Sequence, residues 1–379
     1  MQRRTGAFIR QLEGYTAFIP SDLPPTPPIA IDDEMQGLLS QADRSLGRLD
    51  GSIQALPNSE LFIFMYVRKE AVLSSQIEGT QASLGDVLEA EAKLFAPARP
   101  NDTEEILNYV RAMNHGLQRL GELPLSGRLI REIHELLMRG VRGQYATPGE
   151  FRTTQNWIGP QGASLKDATF VPPPPHELPR LMGQLDDFFH TTDNLPILLK
   201  VGMIHAQFET LHPFLDGNGR MGRLLIAFCL CEQGVLLKPV LYLSHYLKRN
   251  RATYYDRLDA IRHSGDWEGW IKFFLTGVAE VAREATETAR KIVQLREDHR
   301  AKLIETLGKG AANGLKLLES LYERPIFNVG NLTVLLKISP QAANTLTDRF
   351  VQLGLVSEIT GQRRNRMFRY DSYVALFAD

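Results

Sequence analysis

Apolar residues recur three and four apart along residues 198–211, and the same spacing returns over 220–233 through Leu224, Leu225, Ile226, Phe228 and Leu230. Each stretch predicts a helix with a buried face. His212-Pro213 ends the first, because the residue before a proline is driven out of the α region, and Gly234 stands where the second needs its C-cap. Helical spacing also runs over 61–77, with Gly79 as C-cap, from 102 to 109 and over 128–137. Trp157, Ile158, Phe170 and Val171 suit short extended pieces, and Pro172 to Pro175 stop helix and favour polyproline II. The charged stretch 283–302 reads as a solvated linking helix. Beyond it lie helical segments at 315–321 and 329–336, then a helix N-capped by Ser339 with Pro340 at its first position and Gly354 at its end. Two strands, 355–359 and 366–370, follow around the basic turn 360–365. No internal repeat is present, and the pattern is that of a mainly α chain.

The segment joining the first two helices carries the chemistry. It reads His212-Pro213-Phe214-Leu215-Asp216-Gly217-Asn218-Gly219-Arg220-Met221-Gly222-Arg223. His212 is held at a helix end, and Gly217-Asn218-Gly219 can turn so that backbone N–H groups converge on an anion. Arg220 and Arg223 lie three apart in the first turn of the next helix, on one face. Cations there oppose the helix dipole unless an anion sits at the N-terminus, where amides, dipole and guanidinium groups all favour it. Taken singly, each residue also suits a plainer role: the arginines pairing with carboxylates, the glycines turning the chain, His212 capping a helix.

Together these residues resemble the signature of the Fic family, whose members transfer AMP from ATP to a hydroxyl group of a target protein and release pyrophosphate. The resemblance implies a Fic-type helical bundle with a small β-hairpin flap, and these roles. His212 is the general base; Asp216 holds Mg²⁺ against the phosphates. Phe214, Leu215, Gly217, Asn218 and Gly219 complete the phosphate loop, and Arg220 and Arg223 neutralise the β- and γ-phosphates. ATP is the implied substrate and Mg²⁺ the implied metal, with a protein bearing a Ser, Thr or Tyr hydroxyl, or the chain itself, as acceptor.

Upstream, Ser74-Ser75-Gln76-Ile77-Glu78-Gly79 resembles the inhibitory motif of the same family, in which the glutamate bonds the second arginine of the signature, here Arg223. Glu78 also places a negative charge at a helix C-terminus, which disfavours it unless a cation is near. A solvated glutamate is the plainer alternative. The stretches 149–159 and Ala168-Thr169-Phe170-Val171 to Pro175 look like the family's flap, which aligns a target peptide through backbone hydrogen bonds; an ordinary surface hairpin reads the same way locally. Arg251, Tyr254 and Tyr255 stand where relatives contact adenosine, although aromatics at such positions are commonly core. A Fic enzyme that removes AMP or transfers another phosphate-containing group is the narrower alternative.

The expected organisation is an N-terminal helical region with the inhibitory helix (1–100), a catalytic core (101–285), and a linker helix with a winged-helix-like module (286–379). In DNA-binding relatives of such a module the third helix enters the major groove, and Arg363, Arg364, Arg366 and Arg369 could serve the wing. The third helix, however, carries just Arg349 beside Asp348, so dimerisation or target docking stand as alternatives, and a nucleotide-sensing DNA-binding regulator is the competing function. At 379 residues and 43% hydrophobic the chain can bury real cores, and a net charge of −1 supplies no global field for nucleic acid or membrane. The two cysteines, Cys229 and Cys231, point apart on a helix and predict buried thiols. His134 and His205 fall inside helical patterns and read as satisfied helix histidines. With no signal-like start and no apolar run of membrane-spanning length, the expectation is a cytoplasmic protein without a membrane partner.

Overall fold

The computed structural model describes residues 4–378 except 55, 57, 58, 93–99, 142–145, 161, 163, 192, 193 and 363. Arg363 therefore lies outside the described residues. The chain begins with an antiparallel hairpin that the hydrophobic pattern did not announce, β1 (Gly6–Arg10) and β2 (Thr16–Pro20), paired from Gly6↔Pro20 to Arg10↔Thr16. Gly14, at φ +90°, makes the turn that an L-residue would resist.

Helices follow: α1 (Asp33–Gln54), α2 (Ser59–Ile77), α3 (Leu84–Glu91), α4 (Pro100–Leu120), α5 (Gly127–Leu137), α6 (Leu178–His190), α7 (Ile197–Leu211), α8 (Asn218–Glu232), α9 (Ser244–Arg249), α10 (Arg251–Ser264) and α11 (Trp267–Leu307). α1 buries Met35, Ala42, Leu46, Leu49 and Ile53, a stripe at helical spacing, along α11. α7 is buried on every face, Lys200 and Glu209 included. It is the central rod, with α6, α8, α10 and α11 against it. Gly202 gives α11 its close approach: a Cβ there would lie 2.9 Å from Ile271 and 3.2 Å from Phe274, and the Trp270 indole N–H donates to the Gly202 carbonyl at 2.8 Å.

The charged stretch 283–302 forms the expected helix leading to the C-terminal module, but it is amphipathic rather than solvated all round. It is the second half of α11, which runs 41 residues without a break and buries Ala285, Ala289, Ile292 and Leu303. Beyond it come α12 (Ala311–Glu323), β3 (Ile326–Asn328), α13 (Val329–Leu336), α14 (Pro340–Gln352), β4 (Ser357–Glu358), β5 (Met367–Arg369) and α15 (Asp371–Val374). β3 was missed in the sequence, being three residues long; it joins the two expected strands in a sheet of order β3-β5-β4. After α15 the tail returns to the bundle, where the Phe377 ring meets Tyr66 of α2 edge-on at 5.3 Å. The C-terminal module thus packs on the helix that leads to Glu78.

The flap is sparser than a hairpin of regular strands. Its two limbs meet in one antiparallel bridge, Ile158↔Phe170, with N···O distances of 2.8 and 3.0 Å. β2 lies against its other side, where the Phe18 N–H donates to the Val171 carbonyl at 2.9 Å and the Phe18 and Phe170 rings are 6.0 Å apart.

Candidate functional site

α7 ends as the His212-Pro213 pair requires. His212 adopts φ 45°, ψ 58°, a left-handed conformation that costs a non-glycine residue about 1–2 kcal/mol, while its N–H still caps the helix on the Phe208 carbonyl at 3.0 Å. The loop then closes on itself. Asn218 accepts from the Phe214 N–H at 2.8 Å and donates to the Phe214 carbonyl at 2.7 Å. Gly217, at φ +78°, is the N-cap of α8, and a Cβ there would come within 2.7 Å of Met138 Sδ and 3.2 Å of His134 Nε2. With glycine at the cap and no side chain bonding the first turn, the amides of Asn218, Gly219 and Arg220 have no intrahelical acceptor. This is an open helix end of the kind the glycine pattern predicts, with amide donors free of a side-chain cap.

A carboxylate is already there. Glu78 follows the end of α2, where Gly79 turns at φ +99°, and its Oε1 lies so near the first turn of α8 that a Cβ on Gly219 would stand 2.2 Å from it. The same oxygen accepts from Arg223 Nη2 at 2.7 Å. Arg223 is buried, and Ser74 completes its shell: Nε donates to Oγ at 2.8 Å and Nη2 to the carbonyl at 2.9 Å. Burial raises the Glu78 carboxyl, but the charge and hydrogen bond of Arg223 outweigh it and hold the group below its usual range. Ser74, Glu78 and Arg223 are thus brought together. Arg220, also buried, turns to Glu105 at 3.5 Å and lies 3.7 Å from Asp216 Oδ1.

Asp216 keeps its carboxylate 42% exposed. Oδ1 accepts from the Gly217 N–H at 2.6 Å. Its carbonyl is held by His134 Nε2 at 2.9 Å, while His134 Nδ1 accepts from the Gly149 N–H at 2.9 Å. The ring also stacks on Phe214 with centroids 3.6 Å apart. Burial pushes His134 down to about 4, so it is a neutral, fully bonded histidine. His205 is its counterpart beneath α8, between the Gly222 carbonyl and the Tyr254 hydroxyl, each at 2.9 Å.

Partly buried His212 is likewise pushed down to about 4, by burial first and then by the charges of Arg152 and Arg262, against the opposing pull of Glu78. Its Nδ1 has no hydrogen-bond partner among the described residues. An uncharged imidazole at neutral pH can accept a proton. Glu209 and Glu70, both buried, are each raised to about 7 by burial, with Arg223 among the groups acting to lower them.

Several expected contacts fall elsewhere. Phe214 is core, so its backbone alone faces the loop, whereas Leu215 is 37% exposed. Tyr254 is fully enclosed against His205, Tyr255 and Trp270 and offers no face to adenosine. Its neighbour Tyr255 is exposed, with the Arg251 guanidinium 5.6 Å from its ring centre. In the flap, Thr169 is exposed and Ala168 and Val171 are half-buried. Phe170 is buried under the guanidinium of Arg262, 3.8 Å from its ring centre. In the C-terminal module Arg366 pairs with Asp348 and Arg369 with Asp371, so two of the basic wing residues already have carboxylate partners. Both cysteines are free thiols, Cys229 buried and Cys231 half-buried. No helix among the described residues is long and apolar enough to cross a membrane.

Two residues of the expected flap stretch, with no individual role foreseen for them, hold the backbone of this site. Arg152 and Asn156, at the base of the flap, bond the backbone of residues 211–214. Their partners are carbonyl oxygens, which every residue has, so no pairing of residue types could have revealed them.

Comparison with known proteins bears on this arrangement. The Fic/DOC family N-terminal description matches residues 36–118, and the Fic/DOC family description matches residues 124–230. A probable protein adenylyltransferase of Aquifex aeolicus is 30% identical over 183 residues, 47% of this chain and 52% of that protein. The protein adenylyltransferase Fic of Drosophila willistoni is 28% identical over 246 residues, 61% of this chain and 45% of the relative. The chain therefore spans about half the length of these curated relatives. Among solved structures, a Fic family protein from Desulfovibrio desulfuricans has a TM-score of 0.59 at 22% identity, covering 90% of this chain and 97% of its own. A Fic domain containing signaling protein from Bacteroides thetaiotaomicron has a TM-score of 0.52 at 20% identity, covering 66% of this chain and 97% of its own. At these identities the structural likeness concerns the fold.

Proposed function

The chain belongs to the Fic/DOC family, and from that premise we propose that it is a protein adenylyltransferase held in check by its own Glu78. The observation that carries this reading is the open N-terminus of α8, with buried Arg223 beside it and a carboxylate lodged where an anionic phosphate would sit.

In this reading the triphosphate of ATP lies over the first turn of α8, its oxygens taking the amides of Asn218 and Gly219 and the guanidinium groups of Arg220 and Arg223. The target's hydroxyl oxygen attacks the α-phosphorus as the bond to the β-phosphate breaks. Pyrophosphate leaves, and the hydroxyl proton passes to the His212 imidazole. Asp216 fits Mg²⁺, which takes one or two carboxylates plus phosphate oxygens and waters. Its carboxylate is accessible, and no cluster of three His, Cys, Asp or Glu residues exists among the described residues to form an all-protein cage. The ion would offset charge on the α- and β-phosphates. Exposed Tyr255, with Arg251, offers a platform for adenine, and Tyr254 buttresses it from below. The flap edge beside Ile158 and Phe170 receives the target as an extended segment.

Glu78 opposes this by charge and by volume, since a carboxylate on the Gly219 turn excludes a phosphate from it. The C-terminal module, packed on α2 with two of its arginines paired, fits target docking or self-association better than reading DNA.

Intact-mass measurement after incubation with ATP and Mg²⁺ tests the reading. A mass increment of AMP on the chain or a co-incubated target is expected, stronger for Glu78→Gly and absent for His212→Ala. No increment with Glu78→Gly under any target would defeat it.

A further inference from the structure

The backbone of His212 is held by groups outside the family signature. Three successive carbonyls at the end of α7 are all bonded from one short stretch at the base of the flap. The His212 carbonyl accepts from Arg152 Nε at 2.9 Å and Asn156 Nδ2 at 3.1 Å. The Pro213 carbonyl accepts from the Arg152 backbone N–H at 2.9 Å, and the Phe214 carbonyl from Asn156 Nδ2 at 2.8 Å. The rest of the Arg152 fork reaches the Leu211 carbonyl at 3.4 Å, the Thr154 carbonyl at 3.3 Å and the Pro173 carbonyl at 2.6 Å. Thr154 lies on one limb of the flap and Pro173 on the other. Arg152 is thus where both limbs and the backbone of His212 share a single side chain, itself 2% exposed.

Physical chemistry gives this joint a purpose beyond packing. The last carbonyls of a helix have no intrahelical donor and carry the negative end of its dipole, so a cation there is favoured. His212 sits in a left-handed conformation, and a planar fork fixes that geometry where a flexible ammonium would not. Burial pushes the Arg152 guanidinium down to about 10, which leaves it charged at neutral pH.

We propose that Arg152, seconded by Asn156, is a positioning residue that holds the His212 backbone in its left-handed turn and ties the direction of the imidazole to the placement of the flap. The inference rests on the adenylyltransferase reading for its kinetic consequences, but the geometry predicts a second signature that needs no turnover. Among the charged groups acting on the His212 ring, Arg152 and Arg262 of α10 favour its neutral form and Glu78 opposes them. Replacing Arg152 therefore raises the point at which His212 takes up a proton, while replacing uncharged Asn156 does not.

The test uses the full chain with Glu78→Gly as parent, so that Glu78 is absent and Arg262 is common to every variant. Arg152→Lys, Arg152→Gln and Asn156→Ala are compared by kcat and KM for MgATP. The His212 imidazole is titrated by NMR with carbon-13-labelled histidine, its signal assigned by loss in His212→Ala. The expected result is a fall in kcat of about tenfold to a hundredfold in Arg152→Lys and Asn156→Ala, the scale of a small misplacement of a reacting group. KM for MgATP should stay within about twofold, because the phosphate contacts lie on α8. The titration midpoint should rise by about one pH unit in Arg152→Gln and stay in place in Asn156→Ala. An unlabelled parent would sink the adenylyltransferase reading and leave the titration to judge the clamp. A labelled parent whose Lys and Ala variants keep their kcat, or lose activity through KM alone, would overturn the clamp, as would an unmoved midpoint in Arg152→Gln.

Discussion

Replacing Glu78 by glycine should trade stability for activity, and the geometry sets the scale. The Arg223–Glu78 pair, 2.7 Å between nitrogen and oxygen, has its partners unequally placed: Arg223 is buried, while the Glu78 side chain is 34% exposed. Two unit charges about 4 Å apart interact by about 4 kcal/mol at an effective dielectric of 20. Solvent access to Glu78 screens this to about 1–2 kcal/mol. An incoming phosphate must displace that interaction, so Glu78→Gly should tighten MgATP binding by about 5- to 30-fold, at 1.4 kcal/mol per tenfold. Glu78→Gln, which keeps the volume and loses the charge, should fall between. The buried guanidinium would lose its carboxylate but keep Ser74 Oγ and the Ser74 carbonyl. Unfolding free energy should therefore drop by about 1–3 kcal/mol, below the full cost of stripping a partner from a buried ion. Titration calorimetry with MgATP and urea unfolding measure the two halves. If Glu78→Gly loses stability with unchanged nucleotide affinity, the pair is structural and the inhibitory reading is wrong.

Two further tests bear on the frame of the site. Gly217→Ala sets a Cβ 2.7 Å from Met138 Sδ at a residue with φ +78°, which should cost about 2–4 kcal/mol in strain and overpacking and weaken MgATP binding. Gly14→Ala, at φ +90° with nothing within 4 Å of the new atom, should cost about half as much or less; equal losses in thermal melts would show that the tight approach is unimportant. Glu209, raised to about 7 by burial, has an Oε1 without a hydrogen-bond partner among the described residues. An acid whose folded pKa exceeds its unfolded value contributes fully below the unfolded value, and that contribution is lost as pH rises through the folded one. Glu209→Gln should thus gain on the native chain by about 1–3 kcal/mol between pH 5 and pH 8 in urea unfolding, and a pH-independent difference would contradict the ionisation argument.

How much of this was legible in the chain depends on what each residue bonds. The helices α7 and α8, the stop at His212-Pro213 and the turn at Gly217 follow from periodicity and from the conformational limits of proline and glycine, which act over a few neighbours. Glu78 and Arg223, 145 residues apart, could be paired on paper only through the resemblance of both motifs to those of the Fic family. Tertiary structure alone decided the rest. Tyr254 became core and Tyr255 surface because α10 packs on α7 and α11 with one side inward. The charged half of α11 found a buried face because α1, Tyr66 of α2 and the C-terminal module all pack along it. Arg152 and Asn156 became the grip on His212 by bonding main-chain oxygens. Every residue supplies such an oxygen, so the choice among them is made by how the chain is folded in space.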